Sequence, residues 1–105
     1  MTDETGAVAT DFLPVDGNAR WVGTGPLTFA NAAAVLEATS TLPLPGDGIV
    51  DCSGITPVDS SAVAVLLALK RRAVEAAHPL TFSGLPPALK ALVDVYDVEA
   101  LLEAS

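Results

Sequence analysis

Residues 49–69 have the sequence IVDCSGITPVDSSAVAVLLAL. The first four of these residues form a short, apolar, β-branched run, which predicts a buried strand followed by a turn at Ser53-Gly54. The last seven are apolar and contain no proline, which predicts a helix that continues to about residue 77, where His78-Pro79 ends it. The four residues Asp59-Ser60-Ser61-Ala62 therefore lie at a strand-to-helix junction.

This junction carries more polar groups than a helix start requires. A helix N-terminus has unpaired N–H groups and a positive dipole end, so either Asp59 or Ser60 would serve as its N-cap. The second interpretation is a site where a phosphate or a protein partner docks. Phosphorylation of Ser60 would add about −1.5 to −2 charges at the dipole end, but beside Asp59. The spacing alone leaves both interpretations open.

The rest of the chain alternates between predicted strands and helices. Thr28 is the predicted cap of the first helix, and a Gly-Asn turn predicts a hairpin between the first two strands. Two strand–helix–strand units imply a largely parallel sheet. The predicted fold class is α/β, a four-stranded, mostly parallel sheet with an antiparallel edge strand and helices packed on it. The other predicted elements are strands over 12–15, 20–24 and 80–83, and helices over 29–39, from Pro86-Pro87 onward and over 98–103.

Length and composition limit the classes of function. At 105 residues the chain is long enough for one domain, predicted over residues 11–105 after a flexible N-terminal tail of residues 1–10. Thirteen acidic residues against five basic ones give a net charge of −8, which argues against nucleic acid and anionic membranes as partners. The sequence has no apolar run of about 18 residues, no signal-peptide pattern and a single cysteine, so we expect a cytoplasmic protein without membrane insertion.

Neither metal binding nor catalysis is predicted. One Cys and one His are too few ligands for a structural zinc site, and there is no glycine-rich phosphate loop, so no metal or other cofactor is expected. Ser60 and His78 would lie about 27 Å apart at the two ends of a helix of about 18 residues, too far for a catalytic triad. Cys52 is predicted to be a small buried residue. We therefore expect a protein that is not an enzyme.

The predicted second helix has two further features. Residues 62–69 are apolar on every side, so the first turns are either buried all round or have one face that contacts another protein. Lys70-Arg71-Arg72 holds three of the five basic residues. This cluster predicts a solvated helix face, with a patch that contacts an acidic partner as the alternative.

The stretch over residues 49–67 resembles the core motif of STAS domains. Those domains have an apolar strand, a loop, and then Asp-Ser/Thr-Ser/Ala-Gly/Ala at the start of an apolar helix. Ala62 stands here where the commoner motif has Gly. The resemblance extends to Gly25-Pro26-Leu27-Thr28 before the first helix, and to the segments LTFSGL (80–85), ALKAL (88–92) and YDV (96–98) in the C-terminal half.

The resemblance implies one of two functions. The first is that of the small cytoplasmic STAS subunit that binds and supports the ATPase of the bacterial ABC transporter maintaining outer-membrane lipid asymmetry. The second is that of an anti-sigma factor antagonist, in which a partner serine kinase would phosphorylate Ser60. The C-terminal half is more similar to the transporter subunit, which implies a protein at the inner membrane only through its complex. The implied partner-binding or regulatory residues are Asp59, Ser60, Ser61, Ala62 and Thr28.

Overall fold

The computed structural model describes residues 11–102 of the protein. The four strands lie side by side in the order β1-β2-β3-β4. β1 is antiparallel to β2, and the other two strand pairs are parallel. This arrangement confirms the predicted fold class, whereas the predicted tail over residues 1–10 lies outside the described residues. The elements are β1 (Asp11–Val15), β2 (Arg20–Leu27), α1 (Ala32–Ser40), β3 (Ile49–Val58), α2 (Ser60–Glu75), β4 (Thr81–Ser83), α3 (Pro87–Val95) and α4 (Glu99–Leu102).

The hydrophobic core lies between the helices and one face of the sheet. Trp21, Val50 and Phe82 form a row of aligned residues across β2, β3 and β4, and all three are completely buried. Helix α2 contacts α1, α3 and α4, and α3 also contacts β3. The buried residues of α2 recur at helical spacing and fix this helix, and therefore the junction before it, to the core: Ala62, Val63, Val65, Leu66, Leu69 and Ala73.

Strand β3 is longer than its sequence predicts, because the expected turn at Ser53-Gly54 is absent. The strand continues to Val58, with Gly54 paired to Thr24 of β2. The register between β2 and β3 shifts at this point, so Ser53-Gly54 marks an irregularity within the strand. Pairing with β2 and complete burial of Ile55 extend the strand past a local turn signal.

The basic cluster on α2 differs from the predicted solvated face at two of its three positions. The Lys70 Nζ donates to the backbone oxygen of Leu80 at 2.6 Å. Arg72 donates to the backbone oxygens of Thr39, at 2.9 Å, and Leu42, beyond the end of α1. Both side chains therefore fasten α2 to its neighbours, and Arg71 is the exposed member of the three.

Candidate partner-binding site

Asp59 is the N-cap of α2 and also holds the loop that precedes α1. Its Oδ1 accepts a hydrogen bond from the backbone N–H of Ser61 at 2.8 Å, which confirms the predicted cap. Its Oδ2 accepts from the backbone N–H of Phe29 at 2.9 Å. One carboxylate thus connects the ends of β2 and β3 at the same edge of the sheet.

These hydrogen bonds also determine the charge state of Asp59. The Phe29 N–H, together with the N–H and hydroxyl of Ser61, holds the pKa of the Asp59 carboxyl below its usual value of 3.8. Desolvation raises the pKa of Asp59, but by less than these hydrogen bonds together lower it. The junction therefore carries a fixed negative charge at neutral pH.

The other three residues of the junction differ in exposure. Ser60 is exposed, its hydroxyl makes no hydrogen bond within residues 11–102, and the cap of the helix is Asp59. Ser61 is half-buried, and Ala62 is completely buried against the core. A small residue at position 62 therefore serves packing, whereas the side chain of Ser60 is presented to solvent.

Thr28 lies beside the junction. The prediction that it caps α1 is wrong, because that helix begins only at Ala32. The Thr28 N–H donates to Asn31 Oδ1 at 2.9 Å, and its hydroxyl accepts from the N–H of Ala30 at 3.3 Å. Asn31 Nδ2 donates to the Pro26 oxygen at 2.9 Å. These bonds build a turn before the helix, so the structure brings Thr28 near Asp59 through its neighbour Phe29.

Phe29 lies outside the helix that its spacing predicts. The helical spacing predicts that Phe29 belongs to the first helix, but it lies in the preceding turn with 85% of its surface exposed. Asn31 offers the signal that would have placed it correctly. As a good N-cap residue at the start of an alanine-rich run, it favours a helix beginning at Ala32.

An apolar groove lies along α2, with Ser60 among its lining residues. Its volume is about 320 Å³, and it lies between α2 and the segment that follows α3. Ala64 in α2 is exposed and Leu67 is half-buried. Of the two arrangements predicted for the apolar start of this helix, the structure has the one with an open face. The groove is lined by Ser60, Val63, Ala64, Leu67, Tyr96 and Val98.

Cys52 lies within β3 and is completely buried. Burial raises the pKa of the Cys52 thiol to about 12, so this cysteine is a poor nucleophile. Within residues 11–102 no cluster of three or more His, Cys, Asp or Glu side chains could hold a metal ion. In the same range no helix has both the length and the apolar character needed to cross a membrane.

Comparison with known families agrees with this architecture. The sequence matches the family model described as "Mlab, STAS domain" over residues 24–103. The chain therefore belongs to the STAS domain family, whose members are generally adaptor or regulatory domains rather than enzymes. Within that family it is MlaB-like. No curated protein sequence matches the chain.

Two solved structures show the same fold. The unphosphorylated anti-sigma factor antagonist SpoIIAA matches with a TM-score of 0.68 and 14% identity, over 91% of this chain and 87% of that one. SLC26A9 matches with a TM-score of 0.61 and 12% identity, over 88% of this chain and 20% of that one. At these identities the likeness concerns the fold alone.

Proposed function

We propose that this protein is a non-enzymatic adaptor subunit that binds and supports the cytoplasmic ATPase of a phospholipid-trafficking ABC transporter. The observation that carries the proposal is the Asp59 carboxylate, which joins the start of α2 to the Thr28-Phe29 turn in a chain of the MlaB-like group. The transporter is one that maintains outer-membrane lipid asymmetry. The protein would lie in the cytoplasm and reach the inner membrane through this complex.

The surface around Ser60 has the properties of a docking site. Ser60 itself is exposed, and the apolar groove beside it offers surface that a protein partner would bury. The junction is fixed to the core through Ala62 and to the neighbouring turn through Asp59. A rigid, partly apolar surface loses little conformational freedom when it binds.

Co-purification with the ATPase subunit of the source organism's lipid-trafficking transporter tests the proposal. A Ser60→Glu variant would place a charged, larger side chain at the centre of the contact, so we expect a large loss of bound ATPase. Ser60→Ala should bind normally, because the Ser60 hydroxyl does not cap the helix. Ser40→Glu, at an exposed serine at the end of α1, is the matched control. Wild-type yield of ATPase with Ser60→Glu would contradict the contact surface.

The exposed Ser60 hydroxyl also favours a second candidate function, an anti-sigma factor antagonist regulated by phosphorylation. The fold is similar to that of SpoIIAA, which is such an antagonist. A kinase would find Ser60 accessible, next to the positive end of the α2 dipole. Mass spectrometry after incubation with the organism's anti-sigma factor kinases separates the two functions. Stoichiometric phosphoserine at position 60 would favour the antagonist, and its absence the transporter subunit.

A further inference from the structure

Phe29 is the most exposed large hydrophobic residue within residues 11–102. Its side chain is 85% exposed, whereas the other two phenylalanines of the protein, Phe12 and Phe82, are buried in the core. A phenylalanine in water forgoes the free energy that its burial would supply. Aromatic side chains that become buried on binding are, by contrast, enriched among the residues that dominate protein–protein affinity.

The backbone on both sides of Phe29 is fixed by hydrogen bonds. Before it, Leu27 is completely buried at the end of β2 and is paired with Val58. After it, the backbone N–H groups of Asn31 and Ala32 both donate to the oxygen of Thr28. The exposed side chain therefore projects from a turn that is already ordered before any partner binds.

Asp59 sets the position of this turn relative to Ser60. Its Oδ2 accepts the N–H of Phe29 itself, and Ser60 is the next residue in the chain. One carboxylate therefore connects Phe29, whose side chain is exposed, to the residue next to the exposed Ser60. A partner that covers Ser60 would also meet Phe29.

We propose that Phe29 is the anchor residue of the docking surface, inserting into an apolar pocket of the protein partner, and that Asp59 is its positioning residue. This inference rests on the proposed function, with the ATPase subunit as the partner. A protein pocket fits the site better than a lipid bilayer does, because the backbone of Phe29 is hydrogen-bonded to the carboxylate of Asp59 in a chain of net charge −8. The ring supplies the apolar contact, and the ordered turn limits the entropy lost on binding.

Binding of the purified ATPase subunit to Phe29→Ala tests the anchor. We expect the dissociation constant to rise at least about tenfold, with an unchanged melting temperature because the side chain has few contacts. Leu13→Ala, which shortens another exposed apolar residue on β1, is the matched control and should change binding less than about twofold. Equal affinity of wild type and Phe29→Ala would overturn the anchor and leave the proposed function standing. Failure of the wild type to bind would overturn both.

Two further measurements separate this role from simpler ones. Sedimentation with phosphatidylethanolamine–phosphatidylglycerol vesicles should leave the wild type in solution. Vesicle binding that Phe29→Ala abolishes would assign the ring to a membrane and overturn the inference. In an Asp59→Ala background, the Phe29→Ala change should cost much less affinity than it does in the wild type. In Asp59→Ala alone, the Phe29 amide proton should exchange faster than in the wild type. Fully additive losses would show that Asp59 does not position the ring.

Discussion

The Asp59 carboxylate and the backbone N–H of Phe29 form a 2.9 Å hydrogen bond between residues 30 positions apart in the chain. The same carboxylate caps α2 through Ser61. The edge of the sheet where β2 and β3 end is therefore held by a single side chain. Changes at Asp59 should therefore act on two elements at once.

Removal of the Asp59 acceptor should loosen the α1 turn and the start of α2 together. In Asp59→Ala we expect the amide protons of Phe29 and Ser61 each to exchange on the order of tenfold faster, as expected for the loss of a hydrogen bond. Amide hydrogen exchange followed by NMR measures both residues. Asp59→Asn, which keeps one acceptor oxygen, should fall between alanine and wild type. Faster exchange at Ser61 alone would refute the connection to the turn.

Acidification should weaken the same connection. Because the Phe29 and Ser61 donors lower the pKa of Asp59 in the folded state, its ionised form contributes stability that is fully present above the ordinary pKa of 3.8. That contribution is lost as the pH falls below 3.8 through the folded-state pKa. Urea unfolding across this range should show a smaller acid-induced loss of stability in Asp59→Asn than in wild type. The pKa of Asp51 is also lowered, mainly by hydrogen bonds with Ser53, so Asp51 should contribute separately to the acid-induced loss of stability. Asp51→Asn is therefore the control for a carboxylate outside the junction.

Two adjacent arginines on α2 should differ sharply in their effect on stability. Arg72→Ala removes the hydrogen bonds to the carbonyls of Thr39 and Leu42, and we expect a loss of about 1–3 kcal/mol in the free energy of unfolding. Arg71→Ala changes an exposed residue and should stay within about 0.5 kcal/mol. Equilibrium denaturation of the two variants compares them directly. Equal losses would contradict the structural role of Arg72.

The alanine at position 62 should tolerate a smaller residue better than a larger one. Ala62→Gly restores the commoner residue of the STAS motif and should cost at most about 1 kcal/mol, because glycine is less favourable than alanine in a helix. Ala62→Leu inserts a larger side chain into a completely buried position and should cost about 1–3 kcal/mol. Thermal unfolding measures both changes. A stable leucine variant would mean that the space around Ala62 is looser than its burial indicates.

The parts of the site that follow from local chemistry were predictable from the sequence. The Asp59 cap depends on residues within one turn of helix, and aspartate is a preferred N-cap residue. The order of the strands and helices was likewise predictable, because hydrophobic runs and proline or glycine breaks are local signals.

The misplaced features depend on contacts between residues far apart in sequence. The extension of β3 through Ser53-Gly54 requires the partner strand β2. The exposure of Phe29 follows from a turn that Asp59 holds from 30 positions away. The role of Arg72 requires carbonyls at the end of α1. Helical spacing in α2 places Arg71 opposite the buried face, but it does not show that carbonyls at the end of α1 lie within reach of Arg72.

Because Asp59 rather than Ser60 caps α2, the start of the helix depends on the first of two adjacent residues and not on the side chain of the second. The helix keeps its first turn whichever side chain stands at position 60. Mutation, or an enzyme that adds a group to the hydroxyl, can therefore alter that position without endangering the domain. The side chain at residue 60 can therefore vary among related proteins while residue 59 remains constrained by the fold.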